Sequence, residues 1–210
     1  MEKANTYPAT LSVDYPDKPR DRLNVAFRLF MVIPIAILLS FISGGVSQYT
    51  IDKVTYSWGG TGGILVLATV LMILFRQKYP RWWFDWNLAL TRFSYRVFAY
   101  AVLLRDEYPS TDEEQSVHLD LLYPDVKNDL SRGMPLVKWF LAIPHYIVLA
   151  FLALAAVVCI IIAWFAILFT GTFPKSLFDF VVGVSRWGLR VSAYATLLIT
   201  DIYPPFSLDP

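Results

Sequence analysis

Charge is scarce in this chain: 17% of its 210 residues are Asp, Glu, Lys or Arg, against about a quarter in an ordinary soluble domain. Cysteine is almost absent, and Cys159 alone excludes a disulfide framework or a cysteine metal cluster. Two histidines, His118 and His145, leave little material for a zinc or haem site. A net charge of +1 supplies no basic field for nucleic acid. What is present instead is apolar surface. Hydrophobic residues make up 56% of the chain, with 15 Phe, 12 Tyr and 7 Trp, and the mean hydropathy is +0.49. That composition points to an integral membrane protein.

Three runs carry no charge: residues 29–51, 54–75 and 139–169. The first two, separated by Asp52 and Lys53, are each long enough for one crossing. The third would extend about 46 Å as one helix, beyond a hydrocarbon core of about 30 Å. It is either a tilted single helix or a hairpin of two short ones. Of 18 Lys and Arg, 17 lie outside these runs and their distal loop, Lys53 being the exception. Arg20, Arg22 and Arg28 precede the first run and Arg76, Lys78 and Arg81 follow the second. Arg132 and Lys138 precede the third, and Lys175, Arg186 and Arg190 follow it. Basic flanks stay cytoplasmic, so both ends of each apolar block face inward, which an even number of crossings satisfies. The sequence thus predicts two hairpins, the second turning near residues 153–157. Both termini and the linker at Ser110 are expected inside and Lys53 outside, in a multi-pass protein of the cytoplasmic membrane. Residues 1–28 open with Glu2, Lys3 and Asn5 and read as no cleavable signal peptide.

The two halves answer one another. Residues 11–17 (LSVDYPD) match 119–125 (LDLLYPD), and Arg28 to Pro34 matches Lys138 to Pro144. Phe84-Asp85, Arg92, Arg96 and Tyr100 match Phe178-Asp179, Arg186, Arg190 and Tyr194 at a constant offset of 94, and each half closes on Tyr-Pro. The fold expected is a mainly α membrane protein of two parallel tandem repeats, each with a short β-strand, a membrane hairpin and an interfacial amphipathic helix. Repeat 1 occupies residues 1–109, with strand 10–15, spans 29–48 and 58–75 and amphipathic helix 84–104. An acidic linker follows at 110–116. Repeat 2 occupies 117–210, with strand 118–123, hairpin 139–169 and amphipathic helix 178–199. Residues 44–63 read as an insertion at the first hairpin tip. Alternation at Leu11, Val13 and Tyr15 and at Leu119, Leu121 and Tyr123 defines the strands, and Pro16 and Pro124 end them. The strands should pair with each other or with segments beside the Tyr-Pro exits.

The second half carries Ile143-Pro-His145, Ala163-Trp-Phe-Ala-Ile-Leu-Phe-Thr-Gly171, Phe178-Asp-Phe180, Arg190-Val-Ser-Ala-Tyr194 and Asp201-Ile-Tyr-Pro-Pro-Phe206. In these it resembles the prokaryotic membrane family catalogued as domain of unknown function four-three-eight-nine. The first half is similar more loosely, with Ile35 in place of the histidine and Trp82-Trp83 before its Phe-Asp pair. The resemblance implies a membrane protein without an established activity, and it adds no chemistry.

Asp85, Arg92 and Arg96 share one helical stripe, as do Asp179, Arg186 and Arg190. Two arginines near the centre of a crossing would cost about 5 to 7 kcal/mol, so these helices are expected in the interface, where Trp82, Trp83, Trp86 and Trp187 also suit the depth. Each Arg pair could bind a lipid phosphate or partner carboxylate with its planar forks. Arginines that snorkel or pair with cytoplasmic carboxylates are the commoner case. His145 reads as a single hydrogen-bonded histidine and Cys159 as inert packing. Gly59 to Gly63 lacks the Lys-Ser/Thr of a phosphate loop and reads as a flexible tip. No catalytic constellation, metal site or cofactor is expected, so the chain is read as no enzyme. The expected function is a membrane-anchored interaction or assembly protein, an accessory or scaffold presenting a cytoplasmic face. An anionic-lipid-binding role is the alternative, and a small-molecule transporter fits less well because the spans carry no ionisable group besides His145. The partners expected are membrane lipids and another membrane protein or a second copy, with no nucleic acid.

Overall fold

Two short alternating segments organise the chain. In the computed structural model, which describes residues 7–16, 18–43, 47–51, 54–58 and 61–210, β1 (Ala9–Val13) pairs antiparallel with β4 (Val117–Leu121), Leu11 opposite Leu119. Ala9, Leu11, Val117, Leu119 and Leu121 are buried on one side of this ribbon, and Thr10, Ser12, His118 and Asp120 are exposed on the other. Of the two pairings expected, with each other or with segments beside the Tyr-Pro exits, the strands form the first.

The helices are α1 (Arg22–Ser43), α2 (Thr61–Arg76), α3 (Arg81–Ala101), α4 (Met134–Leu141), α5 (Ile143–Thr170) and α6 (Lys175–Ala195). Between α1 and α2 lies a second antiparallel ribbon, β2 (Ser47–Ile51) with β3 (Val54–Trp58). It occupies the segment read as an insertion; Asp52, Lys53, Gly59 and Gly60 lie outside the described residues. At 16 residues α2 extends about 24 Å, short of a hydrocarbon core of about 30 Å. Only α1 and α5, among the described residues, are long and apolar enough to span a membrane.

The hairpin expected at 139–169 is not formed. Residues 143–170 are one uninterrupted helix of 28 residues, about 42 Å long. The physical reason is local. Residues 153–157 are Ala-Leu-Ala-Ala-Val, with no glycine, proline or polar side chain to take up the carbonyls that a turn would free. The break falls upstream, at Ala142, where Pro144 occupies the first turn of α5 and its missing N–H costs nothing. Gly171, at φ +78°, ends the helix and returns its N–H to Ile167, a conformation that suits glycine.

These elements form three layers. The β1–β4 ribbon lies on α3 and α6, β1 against α6 and β4 against α3. On the other side, α1 packs on α3, α5 on α6, and α1 and α5 on each other, while α2 packs on α4. The amphipathic helices are thus packed on two sides, by the ribbon and by α1 or α5. The core runs through the layers, with Leu11, Leu119, Phe84, Phe178, Ala163 and Ile167 all buried.

Candidate functional site

The arginine stripes hold the ribbon. Arg92 donates from Nε to the Leu119 carbonyl at 2.8 Å and pairs with the Asp120 carboxylate. Arg186 donates from Nε to the Leu11 carbonyl at 2.9 Å and from Nη1 to the Leu208 carbonyl at 2.8 Å. Arg96 donates to the Ser110 carbonyl at 2.8 Å. Arg190 donates from Nη2 to the Asp209 carbonyl at 2.7 Å, and its burial lowers its pKa below the ordinary arginine value. The four arginines thus donate mostly to backbone carbonyls, Arg92 to the strand and Arg96 to the linker, while Arg186 and Arg190 both hold the C-terminal segment at residues 207–209. Asp85 and Asp179 stand apart, in exposed pairs with Arg81 and Lys175, each at 3.1 Å; such pairs contribute little.

A second set of polar groups sits where α3 and α6 end. The last carbonyls of a helix have no partner within it. After α3, Arg28 donates from Nη1 to the carbonyls of Tyr100 (2.8 Å) and Arg105 (2.7 Å), and it pairs with Asp106. Arg20 takes the Leu103 and Leu104 carbonyls at 2.8 and 2.9 Å and grips Asp106 through two bonds. Burial pulls the Arg20 pKa down and Asp106 opposes it. After α6, Lys138 donates to the Thr200 carbonyl and pairs with Asp201, both at 2.7 Å. Burial likewise lowers the Lys138 pKa against the pull of Asp201. The two arrangements share detail: Arg28 lies over the Tyr100 ring and Lys138 over the Tyr194 ring, and Leu103 and Leu198 both adopt positive φ, 67° and 58°.

These buried cations beside the ends of α3 and α6 were the residues that sequence reasoning missed as a site. A signal existed, because Arg28 aligns with Lys138 and the motif Asp-x-Tyr-Pro occurs at both Asp106 and Asp201. Reading the Tyr-Pro exits without the aspartate two residues earlier lost it. His145 is fully buried, accepts a bond from Trp187 Nε1 at 3.0 Å and stacks on Phe206, as expected of a structural histidine. Cys159 is half-buried in α5. Among the described residues no group of three His, Cys, Asp or Glu is placed to hold a metal.

What remains open to a partner is the outer ribbon face. His118 and Asp14 meet there at 3.2 Å. On one flank is a polar cleft of about 690 Å³ between Asp14, Arg20, Arg105 and Glu107. On the other is one of about 280 Å³ where Arg92 and Arg96 face the acidic linker residues Asp112, Glu113 and Glu114. Below the ribbon, α3, α5 and α6 enclose an apolar groove of about 510 Å³ lined by Tyr95, Phe98, Ala153, Ile160 and Val184.

Fold and surface define a mainly helical protein with two apolar helices of membrane-spanning length under a small polar ribbon. Residues 134–207, from α4 to the exit after α6, match the family described as Domain of unknown function (DUF4389), the family that the sequence resembled. No curated protein and no solved structure matches the chain.

Proposed function

We propose that this protein is a non-catalytic membrane-anchored assembly protein, built of two parallel tandem repeats that present a joint cytoplasmic ribbon to a membrane-protein partner or a second copy. The observation that carries this reading is the asymmetry of the slab: one outer face is apolar helix and the opposite one is a polar ribbon. The buried cations between them are already engaged by carbonyls and carboxylates, so they serve the frame. On this reading both termini lie on the cytoplasmic side.

Several geometric correspondences support the duplication. Helices α3 and α6 have the same length, 21 residues, and the same bounds at the offset of 94. Burial along residues 21–40 repeats along 131–150 at 19 of 20 positions, Val32 and Ala142 differing. Tyr123 meets Phe84 edge-on at 5.1 Å, and Tyr15 meets Phe178 edge-on at 5.1 Å. The Leu11–Leu119 pair sits at the middle of the ribbon, where a two-fold axis relating the halves would pass. Each repeat's strand then lies on the other repeat's helix, an exchange that ties the two together.

The apolar groove between α3, α5 and α6 favours a second reading, in which the protein handles an anionic lipid and the groove takes an acyl chain. Native mass spectrometry of the detergent-extracted protein tests both. Assembly predicts a species heavier than the 24.0 kDa chain by one partner or one copy, lost when Ser12 and Asp120 are changed to Arg. A monomer that retains anionic lipid selects the second reading, and a bare monomer removes both.

A further inference from the structure

The directions of the layers bear on how the apolar helices meet a membrane. Helix α5 packs antiparallel to α6, residues 139–156 running against residues 195–181. Trp139, just before α5, bonds the Ala195 carbonyl at the end of α6, His145 meets Trp187, and Ala153 and Ala156 face Val184 and Val181 across the groove. Strand β1 runs along the opposite side of the same helix, with Tyr15 at Phe178, Leu11 at Arg186 and Tyr7 at the Arg190 carbonyl. The other half repeats the order: Arg28 of α1 lies at Tyr100 of α3 and Ile35 at Phe93 and Val97, while β4 lies at Arg92.

An α5 standing upright in a bilayer would therefore carry α6 and the ribbon upright with it. The exposed Asp120 and Asp14 and the free outer edges of a two-stranded ribbon would sit at the bilayer midplane facing lipid. One such charge costs about 2.5 to 3.5 kcal/mol there, and open strand edges do not occur in hydrocarbon. Turned flat, the same slab meets every requirement. Phe30, Phe41, Phe151, Leu154 and Phe169 are each 66–78% exposed on the apolar side. Trp82, near the start of α3, and Trp139, near the end of α4, are exposed, and Lys18, Arg22, Arg76, Lys78, Arg132 and Lys175 are exposed near the ends of the helices. Apolar face, exposed tryptophan and basic helix ends are the marks of an element that lies in the headgroup boundary of an anionic leaflet.

We propose that α1 and α5 lie in the plane of the membrane, sunk into the cytoplasmic leaflet with the ribbon in the cytoplasm, and do not cross it. This rests on the membrane reading of the function. It also keeps both basic flanks of each apolar block on one side without a hairpin, so the 17-to-1 asymmetry of Lys and Arg is met by a different path.

The test places nitroxide labels at Ile147, Phe151, Leu154, Val158, Ile161 and Phe165, one at a time, in a Cys159→Ala chain reconstituted in phosphatidylglycerol–phosphatidylethanolamine vesicles. Depth is read from collisions with oxygen against a nickel chelate. The in-plane arrangement predicts one shallow depth at all six sites, about 5 to 10 Å below the headgroups. A depth that passes through a midplane maximum over the roughly 27 Å between Ile147 and Phe165 overturns the proposal while leaving the membrane anchor intact. Water-like collision rates at all six sites remove the membrane reading and the proposal with it. In sealed cells, Cys at Ser131 and at Ser176, one beyond each end of α4–α5, are both expected to resist an impermeant maleimide and to react after permeabilisation. Labelling of either in sealed cells overturns the arrangement.

Discussion

Arg186 reaches Leu11 across 175 residues of sequence, its Nε 2.9 Å from the Leu11 carbonyl. That bond, with its counterpart from Arg92 to Leu119, fastens each strand to the helix of the opposite half. The ribbon has two strands, and an isolated pair of strands is marginal in water; the arginine bonds and the buried Leu11–Leu119 pair keep it in place.

Replacing Arg186 by Gln should therefore loosen the ribbon. A hydrogen bond from a charged group contributes about 1.5 to 3 kcal/mol, so Arg186→Gln is expected to destabilise by that order and to speed amide exchange at Leu11 and Val13. Lysine should recover part of the loss, since it keeps the charge but lacks the planar fork that serves Leu11 and Leu208 together.

Among the described residues, Asp201 is the only carboxylate paired with the fully buried Lys138. Asp201→Asn leaves that ammonium without its counterion and is expected to cost about 3 to 5 kcal/mol. The double change Lys138→Met with Asp201→Asn removes the stranded charge and should recover much of the loss. Thermal unfolding in detergent measures both, and equal stability of the single and double variants would contradict the buried-pair assignment.

Gly183 faces the C-terminal segment. A Cβ there would stand 2.9 Å from the Leu208 Cβ and 3.1 Å from the Leu208 carbonyl oxygen, closer than packed atoms allow. Gly183→Ala should cost about 1 to 3 kcal/mol by overpacking and displace residues 205–210, so carboxypeptidase digestion of that segment is expected to accelerate. At Gly188, where nothing lies within 4 Å of the added Cβ, alanine should leave digestion unchanged.

Alkali should unfold the protein through buried phenols. Burial raises the pKa of Tyr7 and of Tyr79 above the ordinary value of 10.0. A group whose folded pKa is raised holds its proton longer folded than unfolded. Stability is then complete below about pH 10 and falls as pH rises toward the folded values. Tyrosinate absorbance should show the exposed tyrosines ionising first and the buried ones only with loss of structure, and Tyr79→Phe should weaken the coupling.

The sequence by itself determined the parts that depend on neighbours a few residues apart. Alternation of period two marked the strands expected at 10–15 and 118–123, although pairing stops at Val13 and Leu121, ahead of Pro16 and Pro124. The repeated Phe-Asp and arginine positions marked both amphipathic helices, expected at 84–104 and 178–199. They begin three residues earlier, as Arg81–Ala101 and Lys175–Ala195 behind Pro80 and Pro174. The uncharged runs with their basic borders marked the apolar blocks. Only the tertiary structure decided what each side chain meets. Arg92, Arg96, Arg186 and Arg190 were legible as stripes, but the acceptors they take are mostly backbone carbonyls, and a carbonyl leaves no trace in the identity of its residue. Arg28 and Lys138 could be aligned, yet the carbonyls and carboxylates they hold come together only where the chain leaves α3 and α6. The continuity of α5 was lost for a related reason: basic flanks report the side of the membrane on which a segment begins and ends, and say nothing of the path between. That path is set by what packs along α5, the helix α6 and the ribbon beyond it, contacts made between residues far apart in the chain.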